Sequence, residues 1–430
     1  MTGISTRRYT LAVLGVLALA FIVRLAAALY LGNHVTGLSG AQDEVTYSTL
    51  AERFVTGHGL TFPKPWYPWI QANTPQSYFS ATMSLYLAAI YQAFGYEPII
   101  ARIITGVLST FIVLMIVLIA NRLFGRPVAL VAGVIASVYA YLIFYGVTLV
   151  TETPSILSLL AAIYLAYRIG DSPSLKKWAL LGVALATTIL FRQAVMFYVP
   201  LLLLWVVYRQ RGPKKMVLIP IVIIVLFILP FTVRNYLLWH RFLLLQAEYG
   251  HVFWNGNHPG QHGNFVSDRV FPIPSAVLAS HNDVEITNTL LFMGIDHVLK
   301  DPGGFILLTL SRLRILFTFW PTPGSSLVAN TMRVLSFGIL LPFALGGFVL
   351  SFRKWRDLVP IYLFIVVHTG VYAISWTMIR YRLPIDALII PFGAVAVVEL
   401  VAFLRKSRQS TPFLDQVGQS DVTTSLKTAD

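Results

Sequence analysis

Ala41-Gln42-Asp43-Glu44-Val45-Thr46-Tyr47 sets two adjacent carboxylates just beyond a long apolar run. The chain has little charge to spend there: 57% of its 430 residues are hydrophobic and 12% are charged. A carboxylate beside a bilayer is costly unless something compensates it. Two readings fit the stretch. In one, the pair caps a helix over 44–56, with Asp43 satisfying free N–H groups ahead of the first turn. In the other, Asp43 is a general base at the outer face of a membrane enzyme and Glu44 is its acidic neighbour. The stretch alone leaves both open.

Working outward, a mean hydropathy of +0.72 excludes an ordinary soluble domain. A helix needs about 20 apolar residues to cross a hydrocarbon core of roughly 30 Å, and the chain offers many such runs. The net charge of +14 sits in small clusters between these runs. That is the signature of cytoplasmic loops and argues against a nucleic-acid surface. With no cysteine, disulfides, thiolate metal sites and thiol nucleophiles are excluded.

The first run, 10–31, follows Arg7-Arg8 and reads as an uncleaved span with a cytoplasmic N-terminus. An outer loop over 32–97 begins with the acidic step. Tyr47, Leu50, Ala51 and Phe54 fall on one face of a short helix, and Trp66, Tyr67 and Trp69 suit a membrane interface. Charge parity makes 78–94 and 305–320 outer surface helices. Spans are expected at 98–120, 128–150, 155–167, 178–190, 194–208, 216–231, 332–350, 358–378 and 384–404. With the first, that makes about ten spans, the limits being about eight and thirteen. The domains expected are a module over 1–236, an outer segment with a surface helix over 237–330, closing spans over 331–405, and a disordered cytoplasmic tail over 406–430.

Sorted by side, the inner loops are basic and carry no phosphate-binding motif. The outer face collects Asp43, Glu44, Glu152, Arg192, Arg234, Glu248, His258, Arg380 and Arg382, most near span ends. Carboxylates and arginines gathered this way suit transfer from a phosphate-linked donor: a carboxylate takes the proton of an attacking hydroxyl, and guanidinium groups stabilise the departing phosphate. The bland readings are that Glu152 opens a helix and that the arginines snorkel to headgroups. His251, His258 and His262 lie in an irregular stretch and are not taken as metal ligands.

The chain resembles the GT-C superfamily glycosyltransferases, close to protein O-mannosyltransferases and the lipid A aminoarabinose transferase. The resemblance covers residues 10–405 and rests on signposts in order: Asp43-Glu44-Val45-Thr46-Tyr47, Phe94-Gly95, Ala101-Arg102, Arg122-Leu123-Phe124-Gly125-Arg126, Leu190-Phe191-Arg192, Arg234-Asn235-Tyr236 and Arg380-Tyr381-Arg382-Leu383-Pro384. Where the family commonly has a His-Pro-Pro-like turn, this chain reads Asn73-Thr74-Pro75-Gln76-Ser77. The resemblance implies an all-α polytopic membrane protein of GT-C fold that transfers a monosaccharide from a polyprenyl-phosphate donor, with inversion, to a glycan, glycolipid or protein acceptor outside the cytoplasm. It implies Asp43 as base with Glu44 and Glu152 as further acidic residues. Arg192, Arg234, Arg380 and Arg382 are expected on the donor phosphate, and Tyr47, Asn235, Asn257 and His258 on substrate. No cofactor is assigned, and a divalent cation remains open. The alternative class is a transporter or flippase of lipid-linked sugars, which would carry ionisable residues at mid-span and paired half-repeats.

Overall fold

The computed structural model describes residues 5–38 and 40–410; among them there is no β-strand, only an isolated bridge between Trp66 and Ile70. The helices are α1 (Thr6–Leu31), α2 (Asp43–Val55), α3 (Ala81–Phe94), α4 (Pro98–Phe124), α5 (Arg126–Val138), α6 (Ala140–Val147), α7 (Glu152–Asp171), α8 (Leu175–Phe191), α9 (Val199–Arg209), α10 (Leu218–Trp239), α11 (Glu248–Gly256), α12 (Ser275–Leu278), α13 (Asp283–Lys300), α14 (Pro302–Leu316), α15 (Leu327–Arg333), α16 (Ile339–Ser351), α17 (Trp355–Ile374) and α18 (Leu383–Ser410). The protein is a multi-pass membrane protein. Of the disordered tail expected over 406–430, the first residues belong to α18, which continues to Ser410; residues 411–430 lie outside the described residues.

Local sequence explains the punctuation. Gly125 takes φ 92°, a left-handed value that a Cβ would penalise, and so lets α4 turn back into α5 in one residue. Asn282 caps α13 by accepting from Val284 N and Glu285 N, and Asp301 caps α14 ahead of Pro302. In α5, a Cβ on Gly133 would come within 2.7 Å of Val117 and 2.9 Å of Val16, so the small residue lets α1, α4 and α5 close up. Close backbone approach of this kind replaces the hydrophobic drive that lipid cannot supply.

Six helical segments are long and apolar enough to span a bilayer, or seven if the bent pair α5–α6 counts as one. The expected ten is not reached by this measure, and the shortfall has identifiable causes. Helix α8 has 17 residues and opens on Lys176 and Lys177. Its successor is broken at Arg192 and restarts as a 3-10 turn over Gln193–Phe197. The segment Leu327–Ile374 has 48 residues and counts as one of the six. At about 1.5 Å per residue it is more than twice the core thickness. Lys354, near its middle, bonds Leu123 O at 2.9 Å, while Tyr372 meets Arg192 at 2.9 Å at the far end. The segment therefore runs the length of the bundle twice. Helices α3 and α14 are not among the candidate spans.

The bundle has two chemically distinct ends. One gathers Arg122 with Asp171, Arg209 with Asp357, and Lys354 with Leu123 O. The other gathers the first turn of α2, the start of α7, the break after α8 and the start of α18, through contacts described below. A recurring device supports the breaks in between. Arg24, fully buried in α1, donates to Ala136 O and Ser137 O, carbonyls left without helical partners where α5 ends. Arg102 reaches Val147 O at the end of α6, and Arg312 reaches Ala373 O near the end of α17. In a medium without water these guanidinium groups supply the donors that the broken helices lack.

Above the bundle, α2 packs on α3 through Tyr47, Ala51, Met83 and Leu87. Of the expected apolar face of α2, Tyr47, Leu50 and Ala51 are buried and Phe54 is exposed. Helix α11 lies on α13 so closely that a Cβ on Gly250 would stand 1.7 Å from Thr287 O.

Candidate active site

Asp43 is the first residue of α2 and makes no cap; the N-cap position belongs to Gln42, without a side-chain cap bond. Its carboxylate instead accepts a hydrogen bond from Arg380 NH2. Arg380 comes from the 3-10 turn Ile379–Arg382 that opens into α18, and its other terminal nitrogen donates to Gly40 O at 3.2 Å. The Nε of Arg380 lies 3.4 Å from Glu152 Oε1. Glu152 opens α7, and the same oxygen accepts from Arg192 NH2 at 2.7 Å. Arg192 sits at the extended break after α8, donates to the Tyr372 hydroxyl at 2.9 Å and lies over the Tyr381 ring at 4.9 Å. Charges thus alternate along Asp43, Arg380, Glu152 and Arg192. Both carboxylates stand in first turns, where the helix dipole favours them.

Asp43, Arg192, Tyr372, Arg380 and Tyr381 border a cavity of about 770 Å³, while Glu152 is not part of its lining. Its polar wall is made by Asp43, Tyr47, Arg192, Glu248, Tyr372, Arg380 and Tyr381; Met196, Phe197, Val367, Val371 and Ile374 make an apolar wall. Asp43 keeps 36% of its side chain exposed, whereas Glu152 keeps 2% and holds its second oxygen without a partner. Glu248, the first residue of α11, is half-buried. Burial first, and then Asp43, raises its carboxyl to about 7, against the opposing pull of Arg192 and Arg380. Among the described residues no cluster of three His, Asp or Glu has the arrangement to hold a metal ion.

The other sequence-derived candidates lie elsewhere. Glu44 is fully buried on the far side of α2 and takes both terminal nitrogens of Arg102, at 3.0 and 3.1 Å. Arg234 donates to Gln76 O at 3.0 Å and to Ser77 Oγ at 3.4 Å. Asn235 accepts from Ser77 Oγ and donates to Leu245 O at 2.8 Å. Both therefore hold the turn that departs from the family pattern. Arg382, two residues after Arg380, points away from the cavity to Asp386 at 2.9 Å and to Leu316 O. Asn257 caps α11 and accepts from Arg312 at 2.7 Å. His258 accepts from Gly260 N and stacks on Phe271. Of the substrate candidates only Tyr47 lines the cavity. Glu248 was visible only as one outer carboxylate among several, and Arg24 only as a charge interrupting the first apolar run.

Residues 80–239 match the family model described as dolichyl-phosphate-mannose-protein mannosyltransferase. No curated protein matches the chain in sequence. The archaeal oligosaccharyltransferase AglB from Archaeoglobus fulgidus, solved in complex with an inhibitory peptide and a dolichol-phosphate, matches with a TM-score of 0.58 over 92% of this chain and 51% of its own, at 14% identity. The apo form of the Archaeoglobus fulgidus oligosaccharyltransferase matches with the same score over 94% and 52%, at 14% identity. ArnT from Cupriavidus metallidurans in the apo state reaches only 0.41 over 89% and 77%, at 15% identity, and carries no argument. The chain spans about half the length of the oligosaccharyltransferase. What is shared at this identity is the fold, and it is the GT-C fold that the ordered signposts led us to expect.

Proposed function

We propose that this GT-C-fold membrane protein is an inverting glycosyltransferase that moves a monosaccharide from a polyprenyl-phosphate donor to an acceptor outside the cytoplasm. One observation carries the reading: Arg192 and Arg380, both paired with Glu152, line a cavity that apolar side chains also line. Two planar guanidinium groups suit a phosphate, and the strip of Met196, Phe197, Val367 and Val371 suits an isoprenoid chain. The family model, named for a dolichyl-phosphate-mannose enzyme, supports the same donor class.

In this reading the acceptor hydroxyl attacks the anomeric carbon from the face opposite the phosphate. Its proton passes to Asp43 as the new C–O bond forms, and the old bond breaks with its electron pair going to the phosphate held by Arg192 and Arg380. Glu152 positions both arginines. Glu44, Arg234, Arg382, Asn235, Asn257 and His258 are assigned to holding the walls, since every contact described for them is internal. The cluster of basic residues at the other end of the bundle supports an extracytoplasmic site. For a transporter, mid-span charges would have to line a path; Arg24 and the Arg382–Asp386 pair are instead buried and lie outside the cavity lining.

The test is transfer of labelled sugar from decaprenyl-phosphate mannose, and from its glucose and arabinose counterparts, by purified protein given an envelope lipid and protein extract as acceptor. Label should leave the donor lipid with the wild type and not with Asp43→Asn. Failure of the wild type with every such donor would reject the reading.

A further inference from the structure

Asp43, Glu152, Arg192 and Arg380 are joined in one chain of ion pairs, so two carboxylates and two guanidinium groups already balance. Glu248 is a further carboxyl, on the cavity lining with Asp43, and among the described residues it has no hydrogen bond or ion pair. Its helix divides two environments. Glu248, Tyr249, Val252 and Phe253 border the cavity, while His251 and Trp254 are buried on the other side. The close seat of Gly250 on α13 fixes that orientation. A negative charge on Glu248 would be an uncompensated third anion beside Asp43, and burial adds to the cost.

Resting on the donor assignment above, we infer that Glu248 is the general acid for the departing phosphate. A sugar-bearing phosphodiester carries one negative charge; once the sugar leaves, the lipid phosphate becomes a monoester whose second ionisation lies near about 6. Two protons move. The acceptor O–H bond breaks and its proton goes to Asp43. The bond between the anomeric carbon and the phosphate oxygen breaks, its electron pair goes to that oxygen, and the Glu248 O–H proton follows it there. Glu248 ends as a carboxylate and Asp43 as a neutral acid; passage of that proton from Asp43 to Glu248, directly or through water, restores both. The arginines then hold a monoanion, so no second negative charge builds on the phosphate at the bond-breaking step.

The charged and titratable groups facing Glu248 are Asp43 and Tyr47 from α2, Tyr67 and Tyr78 from the outer loop, Arg192, Tyr372 from α17, and Arg380 with Tyr381. For Tyr47, Tyr67 and Tyr78, burial first and then Glu248 among their charged neighbours push the phenol upward, so these stay neutral through the working range. Glu248, by contrast, is pushed into the neutral range. An acid must be protonated to act, so turnover falls as pH rises through about 7.

The experiment is consumption of labelled decaprenyl-phosphate mannose by full-length protein in lipid, across about pH 5.5 to 9. If the wild type uses no polyprenyl-phosphate sugar at all, the donor assignment fails. If it does, the inference stands or falls on the variants. Glu248→Gln should lower kcat about 100-fold, leave KM for donor within about twofold and abolish the alkaline fall. Glu248→Asp, which keeps a carboxyl set back by one methylene, should lose less kcat and keep the fall. Wild-type kcat in Glu248→Gln, or an alkaline fall that persists in it, overturns the inference. If the Gln variant does not fold, loss of the alkaline fall in Glu248→Asp overturns it equally.

Discussion

Arg380 donates directly to the carboxylate of Asp43, so the residue proposed as base and a residue proposed for the phosphate are bonded to each other. A donor phosphate competing for Arg380 would loosen that hold. The proposed mechanism is therefore expected to be ordered, donor first. A dead-end acceptor analogue should inhibit uncompetitively against donor; competitive or mixed patterns would contradict the order.

Arg192→Lys and Arg380→Lys retain the charge and lose the planar fork. Each should raise KM for donor by about tenfold, equivalent to ~1.4 kcal/mol, with a smaller effect on KM for acceptor. Arg234→Lys breaks bonds to Gln76 and Ser77 instead, so it should lower the unfolding temperature and leave donor KM unchanged. Steady-state kinetics beside thermal unfolding in detergent separate the two outcomes.

Glu44→Gln leaves Arg102 buried without its counter-ion, a change that typically costs about 3–5 kcal/mol. Stability should fall while turnover per folded molecule holds. A kcat loss as large as that of Asp43→Asn, at unchanged stability, would return Glu44 to the chemistry.

His251 lies between Tyr78 and Tyr67, at 2.7 and 3.3 Å from their hydroxyls, and burial lowers its proton affinity from 6.5 to about 4. With the folded value below the unfolded one, its contribution is complete above 6.5 and is lost as pH falls from there toward 4. The unfolding temperature should drop between about pH 7 and 5, and the drop should shrink in His251→Phe. An equal drop in both proteins would place the sensitivity elsewhere.

Because the chain has no cysteine, single cysteines report topology against a clean background. A cysteine at Ser280, exposed in the segment after α12, should react with an impermeant thiol reagent added outside cells. One at Ser172, exposed at the basic end beside Asp171, should not. Reversed labelling would invert the orientation.

The helical periods, the basic clusters and the span ends were legible in the sequence, and with them the convergence of Asp43, Glu152, Arg192 and Arg380. Side-chain direction was not. Asp43 and Glu44 are adjacent, yet one helical step turns the side chain by about 100°, which sends one to the cavity and the other into the core. Arg380 and Arg382 differ in the same way within a turn of about three residues. Span counting fell short because hydropathy weighs composition, whereas breaks at Tyr139 and Arg192 shorten helices that still pack as parts of the bundle. Glu248 gained interest only once its missing partner was visible.

The hydrogen bonds of Arg24 to the end of α5 have a consequence at a distance. The 57° bend that follows leads through α6 to Glu152, the anchor of both cavity arginines. That bend is held from the first span, so the placement of the groups proposed to face the phosphate depends on a residue that touches none of them. Alterations at Arg24 would register as lost catalysis in a protein whose reactive groups are all intact, and a search for their cause confined to the cavity would miss it.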